Sequence, residues 1–251
     1  MSTLKELINF QPFPDLACAD EDGLLAMGGD LSVDTLVSAY TQGVFPWFNE
    51  GQPILWWSPD PRLVLYPNEL KVSRSLRKSI KNKFTVSCNT SFEEVIEGCA
   101  LRGLERDELN KESTWITADM HRAYSELFLR GYAHSVEVWS DGDLVGGLYG
   151  VCLGRAFFGE SMFSRKTDAS KTALAYLCQH MANLNYTLID CQVASEHLLS
   201  LGAREISRNN FTATLVDIDM NKPNRNFAES FPRQPQDLTM ILSPNSDIKK
   251  P

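Results

Sequence analysis

Three strand-like runs in close succession between Ala133 and Ser164 set the architecture. AHSVEVW (133–139) alternates apolar and polar residues with period two, and SDGD (140–143) is a hairpin signal. LVGGLYGVCLG (144–154) returns as a strand and RAFFGESMFS (155–164) makes a third pass. KTALAYLCQHMANLN (171–185) then places Ala173, Leu174, Leu177, Cys178 and Met181 on one helical face. TLIDCQV (187–193) reads as a buried strand, SEHLLSLG (195–202) as a short helix ended by Gly202, and a last strand follows near Arg204–Ser207. Antiparallel strands followed by helix, strand, helix and strand make an α+β unit with a central mixed sheet. No period of 20–50 residues repeats, which excludes a solenoid.

Upstream the pattern differs. In GLLAMGGDLS (23–32), Asp30 or Ser32 can cap a helix through DTLVSAYTQG that stops at Gly43. GVFPWF (43–48) and ILWWSPDPR (54–62) follow, and three Trp and four Pro within sixteen residues predict a compact, turn-dominated module packed by aromatics. FTVSC (84–88) predicts a strand, SFEEVIEGCAL (91–101) a helix, and LRGLERDELNKES (101–113) an exposed loop. TADMHRAYSELFLRGY (117–132) predicts a helix capped at Thr117 or Asp119. The expected division is a small Trp/Pro-rich domain over 1–65, a larger domain over 66–221, and an extension over 222–251 whose last nine residues are disordered.

With 24 Lys+Arg against 32 Asp+Glu, the net charge of −8 argues against a protein that coats nucleic acid with its whole surface. KVSRSLRKSIKNK (71–83) is the exception: six basic residues and no acid, leaving −14 elsewhere. As a helix capped by Ser73 it puts Arg74, Arg77, Lys78 and Lys81 on one face and Val72, Leu76, Ile80 and Phe84 on the other. A cationic stripe free of acids suits a phosphate backbone, though a merely solvated face has the same pattern. The six Cys lack any CxxC and are expected to be reduced, buried thiols, and the four His show no metal-ligand spacing. The first twenty residues hold no apolar h-region, and Leu144 to Gly154 is too short to span a bilayer, so a soluble cytoplasmic protein is expected.

Familiar catalytic signals fail. GESMF (159–163) has Phe where a nucleophile elbow needs its second Gly, GGLYG runs into a strand, and ASKTAL lacks the glycines of a P-loop. The informative residues are polar groups inside apolar strands: Glu160, and Asp190 with Gln192 at i, i+2 on one strand face. Such carboxylates need partners. A structural network satisfies them, and so does a site that binds an amine and orients it for attack. Trp47 and Trp115 fall in loop-like strings, where they can stack on a base or line an apolar pocket.

Taken in order, GLLAMGGDLS, GVFPWF, ILWWSPDPR, TWIT, HSVEVW, LVGGLYGV, FFGESMFS, ASKTAL and LIDCQV closely resemble the leucyl/phenylalanyl-tRNA–protein transferases from Gly23 to Ile206. The resemblance implies a bacterial cytoplasmic aminoacyltransferase with a larger domain like the GNAT acyltransferases. Its partners would be Leu-tRNA, Phe-tRNA and, less well, Met-tRNA. Its acceptors would be proteins beginning with Arg or Lys, marked for N-end rule degradation by a new peptide bond. It implies no cofactor, metal or membrane. By resemblance, Trp47 and Trp115 embrace the terminal adenosine and the aminoacyl group. Phe157 and Leu177 line the side-chain pocket with Met162 and Phe163 as neighbours, and Arg74, Arg77, Lys78 and Lys81 hold the acceptor stem. Glu160, Asp190 and Gln192 form the catalytic centre: Asp190 holds Gln192, the pair orients the amine, and Glu160 attracts the basic acceptor or its amine. The charged stretch 101–113 is longer than usual in the family. Two rivals remain: an acyl-CoA N-acetyltransferase, which would need a glycine turn that SRKTDASKTAL (164–174) lacks, and a non-catalytic RNA-binding module.

Overall fold

The structure is a computed structural model that describes residues 5–7, 13–106, 116–216 and 223–242. The N-terminal part contains β1 (Lys5–Leu7), β2 (Leu24–Gly28), helix α1 (Val33–Thr41), β3 (Phe45–Pro46) and β4 (Leu55–Trp57). The strands form one sheet in the order β1-β2-β4-β3, so the module expected to be turn-dominated is built on a small sheet. Pro46 is tolerated there because β3 lies at the sheet edge. Of the two expected caps of α1, Ser32 is the one used, and Asp30 braces it. Ser32 accepts the Thr35 N–H at 3.3 Å, while Asp30 accepts the Thr35 hydroxyl at 2.8 Å and the Ser32 N–H at 2.9 Å. Gly43 ends the helix region at φ 76°, and a Cβ there would meet the Phe211 ring at 3.1 Å.

The chain continues through β5 (Arg62–Leu65), α2 (Arg74–Asn82), β6 (Thr85–Cys88), α3 (Phe92–Arg106), α4 (Ala118–Leu129), β7 (Ala133–Ser140) and β8 (Asp143–Leu153). It ends in β9 (Ala156–Ser164), α5 (Ala169–Asn183), β10 (Leu188–Gln192), α6 (Glu196–Ser200), β11 (Arg204–Ile206) and α7 (Arg208–Val216). These strands form a mixed seven-stranded sheet in the order β11-β5-β10-β9-β8-β7-β6. β5, expected within the small N-terminal domain, thus pairs in the larger sheet. The β7–β8 hairpin turns at Asp141 and Gly142, both at positive φ as a primed turn requires.

Both faces of the large sheet are covered. Phe158, Val64 and Val151 pack with α1, α3 and α4, whereas their neighbours Phe157, Leu63, Leu65 and Cys152 pack with α2 and α5. Double burial explains why these strands are almost uniformly apolar. Residues 101–106 continue α3 and are not the expected loop, while 107–113 lie outside the described residues. No helix was expected where α7 lies. Phe227, Phe231, Leu238 and Ile241 of the extension are buried on the α5 side, and its last nine residues lie outside the described ones. All six Cys are free thiols. Cys99, Cys152 and Cys178 are buried as expected, but Cys18 is exposed and Cys88 and Cys191 are partly so. Among the described residues no helix is long and apolar enough to cross a membrane.

One feature of the sheet positions the site. β9 and β10 run parallel, joined by α5, and pair only at Leu188 with Ala156, Ile189 with Phe157 and Asp190 with Phe158. From Gly159 onward β9 has a strand neighbour only on its β8 side.

Candidate active site where two strands part

The gap left between β9 and β10 is a cavity of about 350 Å³. Phe157, Met162, Leu174, Leu177 and Ile189 give it an apolar wall, and Glu160 and Gln192 lie at its polar end. A second hollow of about 180 Å³ is lined by Phe45, Pro46, Trp47, Glu160, Gln192 and Val193. The two spaces share Glu160, Gln192 and Val193.

Glu160 sits at an irregularity between the Gly159–Gly150 and Ser161–Tyr149 pairs, the extra residue of a bulge. A bulge re-aims a side chain. Here the carboxylate accepts from the Tyr40 hydroxyl of α1 at 2.8 Å, the Tyr124 hydroxyl of α4 at 2.7 Å and Gln192 Nε2 at 3.1 Å. The two Tyr hydroxyl oxygens also touch each other, and with one hydrogen apiece they satisfy all three contacts of this triangle only when Glu160 is itself protonated. Burial pushes Glu160 up to about 7 even though the Tyr124 and Tyr40 hydrogen bonds pull it down; Asp190 adds a smaller upward push. Burial raises both tyrosines well above their ordinary value, so they are neutral donors.

Asp190 is fully buried and clamped by Arg62, with Nε to Oδ1 at 2.8 Å and Nη2 to Oδ2 at 2.6 Å. Its Oδ1 also accepts the Gln192 backbone N–H at 2.9 Å. Asp190 therefore holds Gln192 through the main chain, not through the amide side chain. Strict alternation from Asp190 to Gln192 fails because the register shifts between them and Gln192 adopts φ 65°.

The expected residues fall into groups. Phe157, Met162 and Leu177 line the larger cavity, and Trp47, 45% exposed, walls the smaller one. Phe163 is a correction: it lies on the opposite sheet face, beneath Gly98 of α3, with the Arg165 guanidinium 5.2 Å from its ring centroid. Alternation from Met162 accounts for this. Trp115 lies outside the described residues. On α2, Arg74, Lys78 and Lys81 are exposed, Arg77 is partly exposed, and Leu76 and Ile80 are buried where the helix meets α5.

Sequence reasoning missed Arg62, Tyr40 and Tyr124. Arg62 had a signal: a cation opening the apolar run LVL implies a buried anionic partner, the converse of the argument made for Asp190. The tyrosines had none, since each stands among core positions of its helix.

A family model described as leucyl/phenylalanyl-tRNA protein transferase matches residues 64–216, and one for the N-terminal domain of the same proteins matches 29–60. A leucyl/phenylalanyl-tRNA–protein transferase from Nitrosomonas europaea is 54% identical over 219 residues, 86% of this chain and 91% of that protein. One from Syntrophobacter fumaroxidans is 57% identical over 206 residues, 82% of this chain and 86% of that protein. Among solved structures, a GCN5-related N-acetyltransferase from Kribbella flavida aligns with a TM-score of 0.38 and 15% identity, over 68% of this chain and 59% of that one. The extent and identity of the sequence matches show that the chain belongs to the leucyl/phenylalanyl-tRNA–protein transferase family of aminoacyltransferases.

Proposed function

We propose that this protein transfers Leu or Phe, and Met less well, from aminoacyl-tRNA to the N-terminal amine of proteins beginning with Arg or Lys. The reaction is placed in the cytoplasm and marks its products for N-end rule degradation. One observation carries the reading: an apolar cavity and an aromatic-walled hollow meet at Glu160 and Gln192. The cavity is the place for the aminoacyl side chain, against Phe157, Met162 and Leu177. Trp47, with Trp115, stacks on the terminal adenosine, and Arg74, Arg77, Lys78 and Lys81 hold the acceptor stem. The catalytic unit runs to residue 221, with 222–251 as an extension.

The chemistry is aminolysis of an ester. The amine nitrogen bonds to the ester carbonyl carbon, the bond to the ribose oxygen breaks, and a proton leaves the amine and ends on that oxygen. No covalent nucleophile is needed because the ester is already activated. Holding ester and amine together lowers the barrier by about 7–11 kcal/mol at best. An α-amine titrates near pH 8, roughly, so part of it is neutral at neutral pH. Gln192, fixed by Asp190, orients the amine. Glu160 attracts the cationic acceptor and takes up its proton, a task suited to a carboxyl group titrating at about 7.

The acyl-CoA rival fits poorly. Asp168 opens α5, held by the Ser79 hydroxyl at 2.8 Å and paired with Lys171 at 3.7 Å. A carboxylate there opposes the pyrophosphate that a helix N-terminus would otherwise attract. The deciding experiment follows labelled Leu from Leu-tRNA onto a peptide beginning with Arg, with an Ala-start peptide as control. Transfer to the Arg-start peptide alone supports the reading, and acetyl-CoA binding by calorimetry with no tRNA dependence overturns it.

Two substitutions probe its parts. Leu177→Trp fills the cavity and is expected to reduce Phe transfer at least about tenfold more than Leu transfer, since each methylene of fit counts for about 1–3 kcal/mol. Equal effects would place Leu177 outside the pocket. Arg74→Ala with Arg77→Ala weakens tRNA binding and lowers the slope of log K against log salt by about one to two units. An unchanged slope in filter binding would remove α2 from the interface.

A further inference from the structure

Arg62 is among the largest fully buried side chains, and it links the two walls of the smaller hollow from behind: it lies against Phe45 of one wall and grips Asp190, which holds Gln192 of the other. Toward one wall it grips Asp190, which accepts the Gln192 N–H. Toward the other, Nη1 donates to the Gly43 carbonyl at 3.1 Å and the guanidinium carbon lies 4.7 Å from the Phe45 ring centroid. Gly43 and Phe45 lead directly into Pro46 and Trp47. Phe211 of α7 covers the guanidinium as well, 4.6 Å away.

We propose that Arg62 is a positioning residue that sets the span between the Trp47 wall and Gln192, and with it the approach of the amine to the ester. The proposal rests on the reading of this hollow as the transfer site. Its physical basis is the shape of the guanidinium. A planar fork can grip a carboxylate with two N–H groups while a third reaches a carbonyl, and a lysine ammonium cannot do this across the same span. Stability alone does not call for the pair, because apolar residues of similar volume replace buried ion pairs with little loss. An apolar pair could not accept the Gln192 N–H or donate to the Gly43 carbonyl. The carboxylate of Asp190, committed to Arg62 and to that N–H, acts through Gln192 and not on the amine.

The test measures kcat and KM for transfer from Leu-tRNA to an Arg-start peptide. It compares the parent protein with Arg62→Lys, Asp190→Asn and the double variant Arg62→Gln/Asp190→Asn. Arg62→Lys is expected to lower kcat about 100-fold, the scale of an ångström of misplacement, with KM for Leu-tRNA within about threefold. The double variant removes both charges but keeps an oxygen at position 190 for the Gln192 N–H. Lacking the fork, it is expected to stay at least about 100-fold below the parent in kcat, no better than Arg62→Lys. A near-parental kcat in the folded double variant would show that neither the fork nor the carboxylate sets the span and would overturn the proposal. Parental kcat in Arg62→Lys would overturn it too. Should the double variant fail to fold by circular dichroism, Arg62→Lys decides alone: a loss confined to kcat supports the strut, and parallel loss of kcat and tRNA affinity overturns it. A parent that moves no Leu sinks the transferase reading along with the proposal, whereas an active parent indifferent to Arg62→Lys sinks only the strut.

Discussion

Asp190→Ala is expected to lower the single-turnover rate of Leu transfer by about 100-fold or more and to cost about 3–5 kcal/mol of stability, while the folded variant keeps nearly parental affinity for tRNA. The two losses share one cause. Asp190 and Arg62 are both buried, side chains 0% and 1% exposed, and removal of the carboxylate strands a guanidinium in the core between Phe45 and Phe211. The Gln192 N–H loses its acceptor at the same time, so the left-handed backbone that presents the Gln192 amide to Glu160 loses its support. The RNA grip assigned to α2 does not involve this pair. Urea unfolding, filter binding and quenched-flow transfer separate the three quantities. Loss of tRNA binding equal to the loss of transfer would contradict the assignment.

Glu160→Gln has the second large effect, a fall in transfer of about 10²–10⁴, the usual contribution of general acid–base catalysis. Its pH signature is more specific than its size. In the parent, ionisation of Glu160 gives a limb that rises through pH about 7, distinct from the limb near 8, roughly, that belongs to the attacking amine. The variant keeps only the second limb. Stability moves the opposite way. The folded pKa of about 7 stands above the ordinary 4.5, so the folded state holds a proton that the unfolded chain has released between those values. This contribution is complete below pH about 4.5 and is lost as pH rises through about 7, amounting to about 3 kcal/mol. Chemical denaturation of parent and variant across that window is expected to show a decline in the parent that the variant lacks. Matching declines would assign the titration to another group.

The helices and strands of the large unit were legible because their periodicities are clean. The amphipathic stripe of α2, the DG turn between β7 and β8 and the apolar face of α5 each follow from local pattern alone. The extra length of α3 past residue 101 was not legible, because a charged, weakly periodic stretch carries no burial signal even when it is helical. The N-terminal sheet was hidden by strands of two to five residues among prolines and glycines. Within the site, Glu160, Asp190 and Gln192 stood out because polar groups in apolar strands demand partners. The identity of those partners depends on which elements meet: Tyr40 and Tyr124 are 84 residues apart in sequence, and Arg62 and Asp190 are 128 apart. Phe163 shows the complementary failure, since an aromatic adjacent in sequence to a pocket residue points to the other face of the sheet.

The most direct test of the central claim is a crystal structure with leucine joined to the 3′ position of adenosine through a non-hydrolysable amide. The account predicts the leucine side chain between Phe157, Met162 and Leu177, the adenine on Trp47, and the carbonyl group about 3 Å from the Gln192 amide. A leucine side chain bound anywhere else, with the cavity between β9 and β10 left vacant, would contradict it.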